Sequence, residues 1–557
     1  MIFPYGFGLE HQGERPGSFP LLGRSRSDLQ RGGSPVVWTQ NYDPFHQPLL
    51  STLVAALPVV LLLGLLATGR FSAPRAALVG LLAAVLVAIF AFTPPQVTDP
   101  ASGGTSAWAG TVLMAATNGA AFGLLPIGWI VLSAIFLYDL TVATGQFEIV
   151  KHSVLTLSDD RRLQALMIAF CFGAFIEGAA GFGTPVAISA ALLLGAGFRP
   201  LHAAGLALIA NTSPVAFGAL GTPILTLAKV TLPAGMAPGT WEFLIGQMAG
   251  RQLALFSLLI PGWLVFIMGG WRAVAGVWPA LLVCGGSFAG LQLLVSNFMG
   301  PSLVGVIAGL GSLVALALFL RVWQPAQVWR FSHERDLPVA APAGNYTRGQ
   351  MVRAWVPWVL LSILVFLWGL APVKNALDRY TAVEVAVPRL DHRVQRVPPV
   401  VPQPSPGQAL KAEEATFKLN WLSTTGTSIF LAAVLSSFWL GIRPLRFLTL
   451  FARTCQRMRW PLFTIACMLA LAFVTRFSGL DATLGLAFTH AGAWYPLCAP
   501  LLGWLGVALT GSDTSSNALF GSLQKITAQG LVSQQVLPSS LSRLQAVILL
   551  ATANSTG

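Results

Sequence analysis

A chain of 557 residues with 55% hydrophobic and only 10% charged residues carries more apolar surface than a soluble core can hide, so its solvent is a lipid bilayer. The formal net charge of +13 would suit a nucleic-acid binder, but the basic residues sit in the breaks between apolar runs and form no stripe interleaved with aromatics. HExxH, GxSxG and GxxxxGK[ST] patterns are absent, and the five cysteines (Cys171, Cys284, Cys455, Cys467, Cys498) show no CxxC pair or metal spacing. Nothing therefore points to a protease, a hydrolase, an ATP-driven pump, a cofactor or a metal, and the cysteines read as small apolar packing residues.

In chain order, residues 1–36 are rich in Gly, Arg, Ser and Pro and read as a disordered N-terminal extension. A first membrane half covers 37–372, with apolar runs near 49–68, 75–93, 110–144, 164–176, 201–220, 244–268, 273–297, 302–320 and 354–371. An extramembrane loop at 373–420 holds Pro388, Pro398, Pro399, Pro402, Pro404 and Pro406, which exclude a helix there. The second membrane half, 421–557, has runs near 422–440, 461–475, 480–510 and 541–553. Most runs have about the 17 to 25 residues that a helix needs to cross the hydrocarbon, 110–144 reads as one long broken span or two short ones and 480–510 as one or two pieces, and period-two strands are not seen. The expected fold is an all-α polytopic integral membrane protein of about 11–14 transmembrane helices. Arg321, Arg330, Arg335, Arg348 and Arg353 fill one loop and Arg443, Arg446, Arg453, Arg457 and Arg459 another, so both are expected on the cytoplasmic side and 373–420 outside.

The chemistry concentrates where the apolar runs are interrupted. Glu177-Gly-Ala-Ala-Gly-Phe-Gly-Thr-Pro185 places an acid, glycines, a threonine and a proline inside apolar sequence, which predicts a broken or re-entrant helix with free N–H and C=O groups. Asn211-Thr-Ser-Pro214 follows, read as a helix N-terminus because Ser or Thr precedes Pro, and such ends offer N–H groups to an anion. The second half echoes both in order: Gly511-Ser-Asp-Thr514 matches Gly181-Phe-Gly-Thr184, and Ala553-Asn-Ser-Thr556 answers Ala210-Asn-Thr-Ser213. A pair of interrupted segments in corresponding positions of two halves is the pattern of inverted repeats with a binding site between them.

These same motifs carry a resemblance. Trp38-Thr-Gln-Asn-Tyr-Asp-Pro44, Gln146-Phe147, Cys171-Phe-Gly-Ala-Phe-Ile-Glu-Gly-Ala-Ala-Gly-Phe-Gly183, Pro185-Val-Ala187, Pro214-Val-Ala-Phe-Gly218, Gly285-Gly-Ser-Phe288 and Thr510-Gly-Ser-Asp-Thr-Ser-Ser-Asn-Ala-Leu-Phe520 resemble the bacterial L-lactate permease family, which includes glycolate permeases. The resemblance covers nearly all of the chain beyond Trp38. It implies a multi-pass protein of the cell inner membrane that takes up L-lactate and related 2-hydroxy-monocarboxylates such as glycolate by proton symport. Its partners would then be the 2-hydroxy acid anion, protons and the lipid bilayer, with no nucleic acid and no cofactor. Similar permeases continue beyond the Asn554-Ser-Thr-Gly557 element with a glycine-rich run and a further hydrophobic helix, so a truncated, non-transporting remnant stands as one alternative. A Na⁺-coupled or dicarboxylate carrier of the same architecture is another. A channel would need a continuous polar stripe or filter repeat, and an enzyme a nucleophile, base or metal set, none of which is visible.

For such a carrier, Glu177 is the proton-coupling candidate, since a charge within a span is costly; the competing reading is a carboxylate that caps a broken helix or pairs with an arginine. Asp513 has the same two readings, with an N-cap as its structural one. Thr184, Asn211, Thr212, Ser213, Thr514, Ser515, Ser516 and Asn517 are candidate donors to the substrate carboxylate and hydroxyl, or helix caps. Gly181 and Gly183, with Gly178 and Gly511, would let backbone approach the ligand, or helices approach each other. Asp139 reads as interfacial, and His202 and His490 lack a partner spacing for metal or catalysis. Arg251 and Arg476 read as snorkelling, the alternative being neutralisation of a buried acid.

Overall fold

Apolar runs become helices because nothing in a bilayer except the backbone itself can satisfy backbone N–H and C=O groups. The computed structural model describes residues 37–68, 70–94, 104–155, 158–179, 181, 184–233, 235–331, 346–401, 410–510, 512–538 and 540–556. The expected N-terminal extension, Gly183 and Gly511 lie outside them. Among the described residues, nine helices are long and apolar enough to cross a membrane, or up to ten if one bent pair counts as a single span.

The first half runs through α1 (Pro48–Ala67), α2 (Ala73–Phe90), α3 (Gly104–Phe122), α4 (Trp129–Ala143), α5 (Gln146–Leu155), α6 (Arg161–Ala165), α7 (Gly173–Ala179), α8 (Thr184–Gly195), α9 (Pro200–Ala210), α10 (Gly218–Thr231), α11 (Pro238–Phe298), α12 (Val304–Phe319) and α13 (Arg348–Gly369). The second continues through α14 (Ala371–Thr381), α15 (Thr425–Trp439), α16 (Pro444–Ser478), α17 (Leu480–Phe488), α18 (Tyr495–Thr510), α19 (Asp513–Ser533) and α20 (Arg543–Thr556). At 61 residues α11 is about twice too long for one crossing. It breaks at Gly269 and Gly270, where φ reaches 65°, and its limbs fold back on each other through Ser257 Oγ donating to Gln292 Oε1 (2.8 Å) and Arg251 Nε to Asn297 Oδ1 (2.9 Å). The two runs expected at 244–268 and 273–297 are these limbs, and dividing α11 there adds one crossing.

The expectation of no helix in 373–420 is corrected. Its prolines begin only at Pro388, and Pro372, in the first turn of α14, removes an N–H that has no helical partner anyway. Beyond α14, β2 (Val383–Ala386) pairs antiparallel with β4 (Thr416–Leu419), and β3 (Val394–Gln395) pairs parallel with β1 (Trp38–Thr39). The loop and the segment before α1 thus build one cap over α17 and α19, with Val400 packed on Ala482 and Ile526. Arg476, read as snorkelling, is part of this cap: its Nε lies 3.4 Å from Glu413 Oε2. Arg396 Nε contacts Glu413 Oε1 at 2.5 Å and its Nη2 lies 3.7 Å from Asp481 Oδ2, an aspartate that accepts from Ser522. Burial pushes the Glu413 carboxyl up, but Arg396 and Arg476 outweigh it and hold the group below its ordinary range. Tyr42 is pushed up to about 12 by burial, although its Oη also receives Val397 N–H at 3.1 Å.

Two helical hairpins enter the helical body and neither follows the simple crossing pattern. In the first, α6–α7 runs inward and α8 returns, with Ser189 Oγ donating to Ile168 O (3.4 Å). All of the apolar window in Arg161–Ala179 is buried, against 28% for α1, so this segment is wrapped by protein and α1 faces outward. The base of the hairpin is tied to the arginine-rich face: Arg162 bridges Asp160 at 2.7 Å and donates to Gln327 O, while Phe198 packs on Phe331 at 5.3 Å. In the second, α18 runs inward and α19 returns beneath the cap, with Ser516 Oγ donating to Gly503 O (3.0 Å).

Candidate functional site

The hairpin tips meet the end of α9 and the last described turn of α20. After α9, Asn211 is a C-cap (φ −68°, ψ −15°), a short 3₁₀ turn follows at Val215–Phe217, and the backbone becomes left-handed at Ala219, Leu220 and Gly221 before the helix resumes. The expected helix N-terminus at Asn211-Thr-Ser-Pro214 is therefore corrected to a C-terminal end. The start signal belongs to Gly221-Thr-Pro223, where Thr222 Oγ1 donates to Ala219 O at 2.6 Å and Pro223 falls in the first turn. In the second half α19 begins at Asp513 and α20 carries Asn554-Ser-Thr556 to the same place, so the helix starts at Thr184 and Asp513 stand beside Asn211 and Asn554.

Glu177 is 4% exposed on α7. Its carboxyl lies against Gly218, where a Cβ would collide with Oε1, and its side chain is partnered by Asn211, while Oε2 is buried with no hydrogen-bond partner. Gly178 is glycine because a Cβ would fall on the Gly305–Val306 backbone of the neighbouring helix, and Gly181 holds φ +60° against Ala219. Asp513 is 3% exposed at the first turn of α19. It does not cap the helix: Ser512 does, accepting from Ser515 N–H at 3.3 Å, which leaves Asp513 free to face inward. Its Oδ2 accepts from Ser555 Oγ at 2.5 Å and its Oδ1 has no partner. The charge of Glu177 bears on Asp513, and among the described residues neither carboxyl forms an ion pair with an arginine or lysine.

An amide ladder locks the halves together. Asn517 Nδ2 donates to Pro223 O of the first half and to Ser555 Oγ (both 3.1 Å), and its Oδ1 accepts from Asn554 Nδ2 at 2.9 Å. Gln524 extends the ladder to Ala499 O (3.0 Å) and accepts from Tyr495 Oη at 2.7 Å. Ser213, 1% exposed, keeps an unpartnered Oγ beside Gln292, whose Nε2 donates to Ser213 O at 3.4 Å.

The structure thus brings together Glu177, Asn211, Gly181, Asp513 and Asn517. Thr514 and Ser515 are buried beside them on α19, Thr212 is exposed, and Ser516 is engaged with α18. Thr184 begins α8, and its side chain lies outside the described residues. Asp139, near the end of α4, is paired with Arg457 at 2.6 Å. Sequence reasoning passed over Gln292, Gln524 and Ser555; amides within apolar helices were the available signal for the first two. Among the described residues no group of His, Cys, Asp and Glu could hold a metal.

The L-lactate permease family model matches residues 51–547. The glycolate permease GlcA of Escherichia coli K12 is 46% identical over 514 residues, covering 89% of this chain and 86% of the relative. The L-lactate permease of the same strain is 44% identical over 531 residues (94% and 89%), and that of Bacillus subtilis 168 is 45% identical over 517 (90% and 88%). With a match over most of its length and a buried polar site between two helical hairpins, this chain belongs to the L-lactate permease family and is a multi-pass membrane permease, not an enzyme.

Proposed function

We propose that this protein is a secondary carrier that moves lactate, glycolate and related 2-hydroxy-monocarboxylates across the cytoplasmic membrane together with protons. The observation that carries this reading is a set of three buried polar atoms without partners, Glu177 Oε2, Asp513 Oδ1 and Ser213 Oγ, on the elements that meet at the two hairpin tips. An orphaned buried polar atom costs about 1–3 kcal/mol, and a ligand that supplies the missing partner recovers it. A 2-hydroxy acid offers a hydroxyl that can donate to a carboxylate and a carboxylate that can accept from Ser213 and from bare N–H groups where the helices start. A carboxyl with no cation nearby is a natural place to load a proton, so arrival of the proton and of the anion would be mutually favourable.

Two hairpins entering from opposite faces, each with a polar helix start at its tip, support duplicated halves of inverted orientation. Transport then means exposing the shared site to one face at a time. Reconstituted uptake of lactate, glycolate and succinate under separate proton and Na⁺ gradients tests the proposal. Monocarboxylate accumulation driven by the proton gradient alone is expected. Dependence on Na⁺, or preference for succinate, would replace it with one of the alternatives of the same architecture.

A further inference from the structure

On the arginine-rich face, far from the hairpin tips, an open cavity of about 950 Å³ lies between the C-terminal ends of α4 and α15 and the start of α16. It is lined by Thr144, Gln146, Arg443 and Arg446, and a second cavity of about 420 Å³, bordered by Arg446, Thr449 and Arg453, shares Ala143, Leu445 and Arg446 with it. Arg443 stands at the N-cap of α16, and Arg446 and Arg453, seven residues apart, share one stripe of that helix. No carboxylate lines either cavity, and among the described residues these three arginines have no acidic partner. The neighbouring Arg457, one turn on, does have one, because Asp139 occupies it. Arginines placed only to orient the chain need no cavity, and the nearest acid is spent elsewhere.

Two further features say what fits. Gln146 Oε1 is buried without a hydrogen-bond partner at the cavity wall, so an occupant with a hydroxyl donor is called for as well as an anion. Leu445 and Leu448 on α16 and Phe438 at the end of α15, 80%, 60% and 74% exposed, stand beside the cavity as an apolar surface continuous with the membrane-facing helices. We propose that this is a binding site for an anionic phospholipid with a hydroxyl-bearing headgroup, such as phosphatidylglycerol. Its phosphodiester would lie among Arg443, Arg446 and Arg453, its glycerol hydroxyl would donate to Gln146, and its acyl chains would lie along the exposed leucines.

The test uses the full chain purified in detergent, with lipid adducts counted by native mass spectrometry after titration with phosphatidylglycerol, phosphatidylcholine or soluble glycerol phosphate. One tightly held phosphatidylglycerol is expected, with phosphatidylcholine and glycerol phosphate retained at least tenfold less. R443Q/R446Q/R453Q should weaken retention on the order of a hundredfold, at about fivefold per arginine, while R443K/R446K/R453K keeps most of it. If the triple variant does not fold, R443Q alone, an exposed residue, should still show about a fivefold loss. Equal retention of the two lipids, an unchanged preference in a folded triple variant, or saturation by glycerol phosphate would each overturn the proposal.

Discussion

At the scale of single residues, the polar groups of the site divide by whether their partners are already present. Asn517 has all of its amide engaged, so Asn517→Ala removes its bonds to Pro223 O and Ser555 Oγ, leaves Asn554 Nδ2 with only its 3.4 Å bond to Ser516 Oγ, and should destabilise the folded protein by about 1–3 kcal/mol, read as a lower thermal midpoint in detergent. Ser213 Oγ has no partner, so Ser213→Ala should leave that midpoint unchanged and raise KM for lactate about tenfold, the worth of one hydrogen bond to a charged group. Glu177→Gln should reduce proton-driven uptake about a hundredfold while exchange across preloaded vesicles falls far less, since a permanently neutral side chain can still bind but cannot carry the proton. Equal loss in both assays would make Glu177 structural. Much of this site was legible in the sequence because Glu177, Asp513 and the Asn-Thr-Ser elements are anomalies in apolar runs. Ser555 was harder to see, because a hydroxyl at a helix end reads as a cap until the fold places it 2.5 Å from Asp513.

At the scale of elements, local signals located the breaks correctly and misjudged their direction. Ser-Pro at 213–214 reads as a helix start, yet the left-handed turn at 219–221 moves the start one motif later and leaves Asn211 as a C-cap. Only the chain beyond the proline decides between the two, and three consecutive residues with positive φ, two of them not glycine, are not written in propensities. α19 and α20 are polar because protein, not lipid, surrounds most of their length, and hydropathy is correspondingly weak there. Close packing at these elements is a sharper expectation. Gly178→Ala should cost about 1–3 kcal/mol and abolish transport, because the added methyl meets the α12 backbone, whereas Gly286→Ala, with open space around it, should be silent in both thermal stability and uptake.

At the scale of the whole molecule, an arginine-rich face opposes a capped face, and the cap is held by charge. Glu413 is favoured as a carboxylate by Arg396 and Arg476, with Lys525 contributing and Asp481 opposing; Asp378, which accepts from Ser423 and Lys418, is likewise held low although its own burial pushes up. A depressed carboxyl lends its stability above its ordinary value, about 4, and loses it as the pH falls through the lowered one. Hydrogen exchange across 383–419, taken relative to the intrinsic amide rate at each pH, should therefore be flat from about pH 8 to 6 and rise below about pH 4. Glu413→Gln, which strands Arg396, should raise it at neutral pH by removing about 3 kcal/mol, and the difference from the parent chain should vanish once Glu413 itself is protonated. From the charge asymmetry the cap is expected outside: Glu384→Cys should react with an impermeant thiol reagent in intact cells and Thr449→Cys should not, after the native cysteines are replaced.

Proton-coupled movement of a 2-hydroxy-monocarboxylate is the claim on which the rest depends, and reconstituted vesicles test it directly. With the inside alkaline and no Na⁺ present, external lactate should accumulate above its equilibrium level, each anion entering with a proton, and a proton-conducting uncoupler should abolish the accumulation. Accumulation that ignores the proton gradient and follows Na⁺ would contradict the account.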